Sequence, residues 1–354
     1  MTAARRKPRR RVGRRARWVL LSLLLLFGAY SNWHVHQPAA WQEDMARRLP
    51  AFVAAAITGT GDNLAEYTDS LGLTGHDVFI VAPDGFTPAA PPFLGAPPRA
   101  NPANAAPAPA TLVPLEKTGF TIAYSPADRQ PYWVAYRLDP VDSLETPPRP
   151  PRFNSDPAVN SPRHDDYTGS GYDRGHMAPN FAIASRYGRE AQIETFYTSN
   201  ICPQRPGLNR GPWRDIEHRV AKIYGQRETV WVVIGAIPAA PGAPALENKG
   251  GKPTGISIPT AFYHIIATLD GNRLRVCALI VPQDAPLHAH PRRYLASVDE
   301  IERLTGLDFF SDLPPGERDL LKLPAASRLW PTGLDGAWAV LKNRVETRAL
   351  RMPR

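Results

Sequence analysis

The chain has 354 residues, of which 43% are hydrophobic. That is enough for one large or two medium domains with a buried core, and it excludes global disorder. The formal net charge is +9, but the first 17 residues hold eight Arg, one Lys and no acid. The remainder is therefore neutral, and any affinity of the body for polyanions has to come from local patches.

The basic run leads into "WVLLSLLLLFGAY" at 18–30. A basic segment before a short apolar stretch fits an export signal or a signal-anchor. No clean small-x-small cleavage site comes after it, which favours the anchor. Either way the body is expected outside the cytoplasm, periplasmic or extracellular or held at the inner membrane by 18–30, with the arginines inside. Residues 1–37 form this segment. Residues 38–82 are expected to be helical, from "WQEDMARRL" and "LPAFVAAAI" within 41–72. Residues 83–116 are proline- and alanine-rich, with ten prolines between 83 and 114, and read as a linker or exposed loop.

The texture then changes. "GFTIAYSPADRQPYWVAYRL" (119–138) predicts a β-hairpin, and a second proline-rich loop occupies 146–162. A short helix is expected within 188–200. Trp213, Ile216, Val220 and Ile223 fall at helical spacing and predict a helix over 212–225. "ETVWVVIGAIP" (228–238) is β-rich, and 262–282 forms a hairpin about Asp270-Gly271. Ser297 with Glu300 three residues later opens a capped helix that ends near Gly306. The tail, 321–354, is helix-prone in its latter part. Strands, then loop, helix and further strands make an α+β arrangement. Cys202 and Cys277 could pair or be two buried thiols, and no zinc-type spacing is present.

The chemistry-bearing residues cluster. "GYDRGHMAPN" (171–180) holds Asp173, Arg174, Gly175 and His176. "TSNICPQRPGLNRGPWRDIEHR" (198–219) holds Asn200, Asn209 and Glu217, and Arg152 lies in the proline-rich loop. Phosphodiester hydrolysis needs this set. A neutral imidazole can take a proton from water near pH 7. Arginine or Mg²⁺ can offset charge on the phosphate and the leaving oxygen. Mg²⁺ prefers oxygen ligands, keeps several waters and needs few protein ligands. An asparagine carbonyl serves, and a carboxylate such as Glu217 can hold metal-bound water. Taken singly, each residue also has a plain structural reading. Asp173 and Arg174 make a surface ion pair, Asn209 belongs to a turn, Glu217 is a solvated helix charge, and Trp213 is core. Gly175 lets the chain turn tightly before His176.

Together the two motifs resemble the DNA/RNA non-specific endonucleases, the sugar-non-specific nucleases of the ββα-metal (His-Me finger) type. The family pattern is matched at Asp173-Arg174-Gly175-His176, Ser199-Asn200, Pro203-Gln204, Leu208-Asn209, Trp213 and Glu217. The resemblance implies an endonuclease domain over 117–320, built on a central antiparallel sheet flanked by helices. It implies His176 as general base, Asn209 as the direct ligand of Mg²⁺ (or Mn²⁺), and Glu217 as holder of the metal's water shell. Arg174 and Arg152 would lie near the phosphate. Asn200 would be scaffold beside the metal, and Asp173 would orient its neighbours. Asn209 would start the helix that runs past Glu217. DNA and RNA are the implied substrates, 5′-phosphates the products, and a homodimer the implied assembly. One departure is His264 in "IPTAFYHII", where the family would have a lysine, and this is expected to weaken a substrate contact. The competing readings are a catalytically silent nucleic-acid binding or uptake module, and a structural envelope protein with a proline-rich spacer.

Overall fold

The computed structural model describes residues 80–81, 93–94, 96–101, 109, 111–270, 273–323 and 329–330. The chain divides into one unit ending at Thr74, outside these residues, and a second from Gly75 onward. The apolar run at 18–30, the helical stretch at 41–72 and most of the tail also lie outside them. Among the described residues no helix is long and apolar enough to cross a membrane.

The second unit is built on an eight-stranded sheet. Its members are β1 (Ile80–Val81), β3 (Val113–Lys117), β4 (Phe120–Ser125), β5 (Gln130–Leu138), β8 (Val230–Ile237), β11 (Ala261–Asp270) and β12 (Arg273–Pro282), with β13 (Leu295–Ala296) added on β12. The order is β1-β12-β11-β8-β5-β4-β3, and neighbours run antiparallel. The two hairpins expected from the sequence are β4–β5 and β11–β12. A separate two-stranded piece pairs β9 (Ala245–Glu247) with β10 (Pro253–Ser257).

Central strands β5, β8 and β11 are buried on both faces, so they read as nearly continuous apolar runs. Their alternation splits the interior into two cores. Val134, Tyr136, Leu138, Val232, Ile234, Phe262 and Ile266 point to one face. There they meet α1 (Asn180–Thr195) and α3 (Pro212–Arg219) through Ala182, Ile183, Trp213 and Ile216. Trp133, Ala135, Trp231, Tyr263 and Ile265 point to the other face, covered by α4 (Val298–Thr305) with Val298 and Ile301, and by Leu307 and Phe309. Ser297 caps α4, its hydroxyl accepting the Glu300 N–H at 3.0 Å. Strands and helices are thus segregated about one antiparallel sheet, which is the α+β class read from the sequence.

The ββα unit sits on the first face. β6 (Asp173–His176) pairs antiparallel with β7 (Ile201–Gln204), and α2 (Pro206–Arg210) and α3 come next. Both cysteines are free and buried, Cys202 in β7 and Cys277 in β12.

Four expectations need correction. Part of the proline-rich stretch at 83–116 belongs to the fold. Leu94 is buried in the second core, Phe93 meets the Trp133 ring edge-on at 5.8 Å, and β2 (Arg99–Ala100) pairs with β14 (Leu307–Asp308). Proline limits backbone freedom without preventing a Phe-Leu pair from anchoring. The helix expected within 188–200 is present but is only the second half of α1, which begins at Asn180 and breaks at Gly188. The helix expected over 212–225 is α-helical only to Arg219 and continues as a π turn, Val220–Tyr224. Arg186 donates to the carbonyls of Ala221 (2.7 Å) and Gly225 (3.2 Å), which satisfies acceptors that the widened turn releases.

His264 is the fourth. It lies in β11 on the face that carries α3, is 0% exposed, and packs on Trp213 with ring centroids 4.1 Å apart. It therefore makes no substrate contact. Neither ring nitrogen has a hydrogen-bond partner, and burial pushes its pKa down to about 3. The folded state holds it neutral while the unfolded chain protonates it near 6.5. Stability should therefore fall as pH drops below about 6.5, by up to about 1.4 kcal/mol per pH unit from this group. In urea unfolding, His264→Phe should gain on the wild type progressively between about pH 7 and about pH 4.5. A gap that stays constant with pH would show that His264 is not buried neutral.

Candidate nuclease active site

The site is built where β6 ends. His176 is the last residue of that strand. Its ring lies between Phe153 (centroids 5.3 Å) and Phe196 (5.0 Å, edge-on). Desolvation, with the positive charge of Arg149 second, lowers its pKa to about 3, so it is neutral at pH 7. Its Nε2 is buried without a partner.

The backbone beyond His176 is fixed by Asn200, which is 0% exposed. The Asn200 amide donates to the carbonyls of Ala178 and Thr195, both at 3.0 Å, and its Oδ1 accepts the Ala178 N–H at 2.8 Å. Its backbone carbonyl accepts the Met177 N–H at 3.0 Å. With its amide donors and Oδ1 so engaged, Asn200 holds the backbone in place and does not hold an ion. Gly175 has a different reason from the one the sequence suggested. It lies within β6 opposite Cys202, not in a turn, and a Cβ there would stand 2.1 Å from Gln204 Oε1. Close packing of Gln204 demands the glycine.

Asp173 reaches the side chains of α2, and its charge also acts on Arg174. Its carboxylate takes both Arg210 Nε (2.6 Å) and Nη2 (2.5 Å), and Oδ2 also accepts Asn209 Nδ2 at 2.9 Å. A carboxylate cannot accept from the oxygen end of an amide, so this contact turns Asn209 Oδ1 the other way. Asn209 does not start the Glu217 helix. It sits near the end of α2, and the chain breaks at Gly211 before Pro212 opens α3. A side chain at Gly211 would strike the Gly207 and Leu287 carbonyls at 2.4 and 2.5 Å.

Glu217, half-buried in α3, has its pKa pushed up to about 8 by desolvation, against the pull of Arg214 and Arg149. Its charge also reaches the Tyr136 hydroxyl, which is buried without a partner. Arg149 feels both His176 and Glu217, and its guanidinium lies 5.0 Å from the Phe196 ring centre. Arg189 (2.5 Å to the Pro148 carbonyl) and Gln192 (2.9 Å to the Pro147 carbonyl) hold its segment down. The two arginines expected beside the phosphate both have protein partners. Arg152 is 63% exposed and pairs with Asp165 at 3.7 Å. Arg174 donates to the His164 carbonyl (2.8 Å) and Thr168 Oγ1 (2.7 Å), over the Phe153 and Tyr167 rings. Arg149 was not among the residues that the sequence singled out, because a proline-rich loop has no periodicity to say which arginine of "RPPR" has its charge nearest the histidine.

The donors fit a hard divalent cation. Asn209 offers an amide oxygen, and Glu217 is a carboxylate whose desolvated charge a cation would stabilise. Among the described residues no three His, Cys, Asp or Glu side chains gather into a metal cluster. Imidazole–thiolate sites are therefore not in play there.

This geometry defines a ββα unit with a histidine, an asparagine and a glutamate on successive elements. Residues 98–316, more than half of the chain, match the family described as DNA/RNA non-specific endonuclease, and the chain belongs to that family. The mitochondrial nuclease EXOG of Xenopus laevis is 31% identical over 58% of this chain and 64% of its own length. A nuclease of Nostoc sp. is 31% identical over 63% of this chain and 81% of its own. A solved structure of an EndoG/EndoGI complex overlaps 59% of this chain and 90% of its own, with TM-score 0.49 and 24% identity. The chain thus spans less than two thirds of the frog relative and 56% of its mouse counterpart.

The loop that carries Arg149 and Phe153 depends on one buried ion pair. Lys117 Nζ lies 2.9 Å from Asp156 Oδ2, with side chains 8% and 0% exposed. Burial alone would raise the Asp156 pKa. Hydrogen bonds from Ser199, Lys117 and the Ala158 N–H, with the charge of Lys117, hold it below the usual value. Asp156→Ala would leave Lys117 buried without its carboxylate and should cost about 3–5 kcal/mol in urea unfolding. A loss below about 1 kcal/mol would show that the pair does not hold the loop.

Proposed function

We propose that this chain is a Mg²⁺-dependent endonuclease that hydrolyses phosphodiester bonds of DNA and RNA and leaves 5′-phosphates. The observation that carries the reading is the ββα unit itself, which sets His176 between Phe153 and Phe196 at the end of β6, turns Asn209 Oδ1 away from Asp173, and places Glu217 in α3, with the charge of Arg149 acting on both the histidine and the glutamate.

Each residue has work to do. His176 accepts a proton from the attacking water. Its Nε2 is enclosed, so Nδ1 is the nitrogen on the open side. A pKa near 3 is low for a base, but it reflects desolvation and Arg149 in the absence of an anion. A bound phosphate offsets Arg149 and raises the basicity of the ring. Arg149 offsets charge on the phosphate, and Arg174 and Arg152 attract the flanking backbone. Asn209 Oδ1, aimed by Asp173, would hold Mg²⁺ (or Mn²⁺) directly, and Glu217 would hold it through water. When bound, that ion would neutralise charge on the leaving oxygen. Contacts are to the backbone, so base discrimination is slight and binding is salt-sensitive. The apolar run at 18–30 would export the protein or anchor it to the membrane, and a homodimer is inferred by analogy with the family.

Purified protein should nick supercoiled plasmid and degrade RNA with Mg²⁺ and stop with EDTA. His176→Ala should lower the rate roughly 10²–10⁴-fold while circular dichroism stays unchanged. A folded variant that loses less than about tenfold would remove His176 as the base. Binding without any cleavage in Mg²⁺ would replace the enzyme with a silent binding module. Separately, Asn209→Ala should raise the Mg²⁺ concentration for half-maximal rate and weaken Mn²⁺ binding seen by electron paramagnetic resonance. Unchanged Mn²⁺ binding would exclude Asn209 as the ligand.

A further inference from the structure

An open cavity of about 350 Å³ lies against the segment that follows Phe153. Arg129 lines it from the β4–β5 turn, and Ser155, Asn160, Arg163 and Asp166 line it from the segment after Arg149 and Phe153. The Asp166 carboxylate is held on the Arg163 backbone N–H at 2.8 Å. Two guanidinium groups against one carboxylate leave the lining positive. Arg129 is fixed, with φ of 54° and one guanidinium N–H on the Thr254 carbonyl. Near it the Tyr124 hydroxyl is buried without a partner.

A basic path connects the cavity to His176. From the His176 ring it is 5.3 Å to Phe153 and a further 6.1 Å from Phe153 to His164, whose neighbour in the chain is Arg163. Arg174 lies over Phe153 and holds the His164 carbonyl, and Arg152 stands beside Asp165. Arg174 thus lies over Phe153, Arg152 and Arg163 lie on the segment that contains Phe153 and leads to the cavity, and Arg129 lines the cavity. A nucleic-acid strand advances about 3.4 Å per charge along its axis. The two ring steps reach the His164 ring within at most about 11 Å, roughly three phosphates along a strand.

We propose that this cavity is a second phosphate subsite, holding the backbone of the substrate strand a few nucleotides to one side of the scissile bond. The proposal rests on the nuclease reading of the His176 site. It explains why a protein whose body is neutral overall gathers arginines on this segment. It also makes Arg163 a binding residue with no part in the chemistry.

The test uses the full-length His176→Ala protein with and without Arg163→Glu, and fluorescence anisotropy with 2- and 20-nucleotide single strands. Arg163→Glu should weaken the 20-mer about five- to tenfold and reduce the slope of log affinity on log salt by about 0.7 or more. The dinucleotide, with a single phosphate, should bind as before. On the otherwise wild-type protein, KM for the 20-mer should rise with kcat unchanged. An unchanged 20-mer affinity and salt slope would overturn the subsite, as would an equal loss for the dinucleotide. Cleavage of the 20-mer by the wild type, run alongside, reports separately on the nuclease reading. The binding arms decide the subsite whether or not cleavage is seen.

Discussion

Asp156 is the constraint on which the site depends. It is buried and carries three jobs at once. It pairs with Lys117 at the end of β3, accepts the Ser199 hydroxyl from the segment that contains Asn200, and accepts the Ala158 N–H of its own loop. The three segments are far apart in sequence. Tied together, they hold the proline-rich loop against the segment after α1, with Asn154 and Tyr197 bridging backbone to backbone. Phe153 then reaches His176 and Arg149 reaches Phe196. A loop without regular hydrogen bonding would otherwise have little reason to stay there, and a buried carboxylate is costly unless every oxygen is used.

The site itself is a balance of desolvation against charge. The same burial drives the His176 pKa down and the Glu217 pKa up, because burial penalises whichever form is ionised. Arg149 acts on both in the opposite sense to one another, disfavouring imidazolium and favouring carboxylate. One arginine therefore helps keep a base neutral and an acid available to a cation. Asp173 adds a geometric device. By taking the nitrogen of Asn209 it fixes which end of the amide faces outward. Neighbouring Gly175 and Gln204 show how tightly β6 and β7 are packed to make this possible.

Much of this was legible in the chain. Strand runs within 120–138, 230–237 and 261–282 are rich in apolar, aromatic and β-branched residues, and their hairpins arise from local turn chemistry. The capped helix after Ser297 was equally plain. Motif spacing brought out His176, Asn200, Asn209 and Glu217, because short elements tie each motif together internally. The misreadings share a cause. The break at Gly211 is imposed by carbonyls that include Leu287, some seventy residues on, and the glycine at 175 by a side chain from another strand.

Local sequence thus determined the elements, the chemistry-bearing set and the class of reaction it suits. Those depend on periodicity, capping and residue type, which are properties of neighbours in the chain. Tertiary structure alone decided that His264 lies in the core beneath Trp213, that the charge of Arg149 reaches His176 while Arg152 pairs with Asp165, and that Asp173 serves Asn209 and Arg210. Each of these turns on which long side chain meets which buried charge across the sheet and its loops. Burial and charge are set by everything that packs around a group, and no stretch of sequence contains that environment.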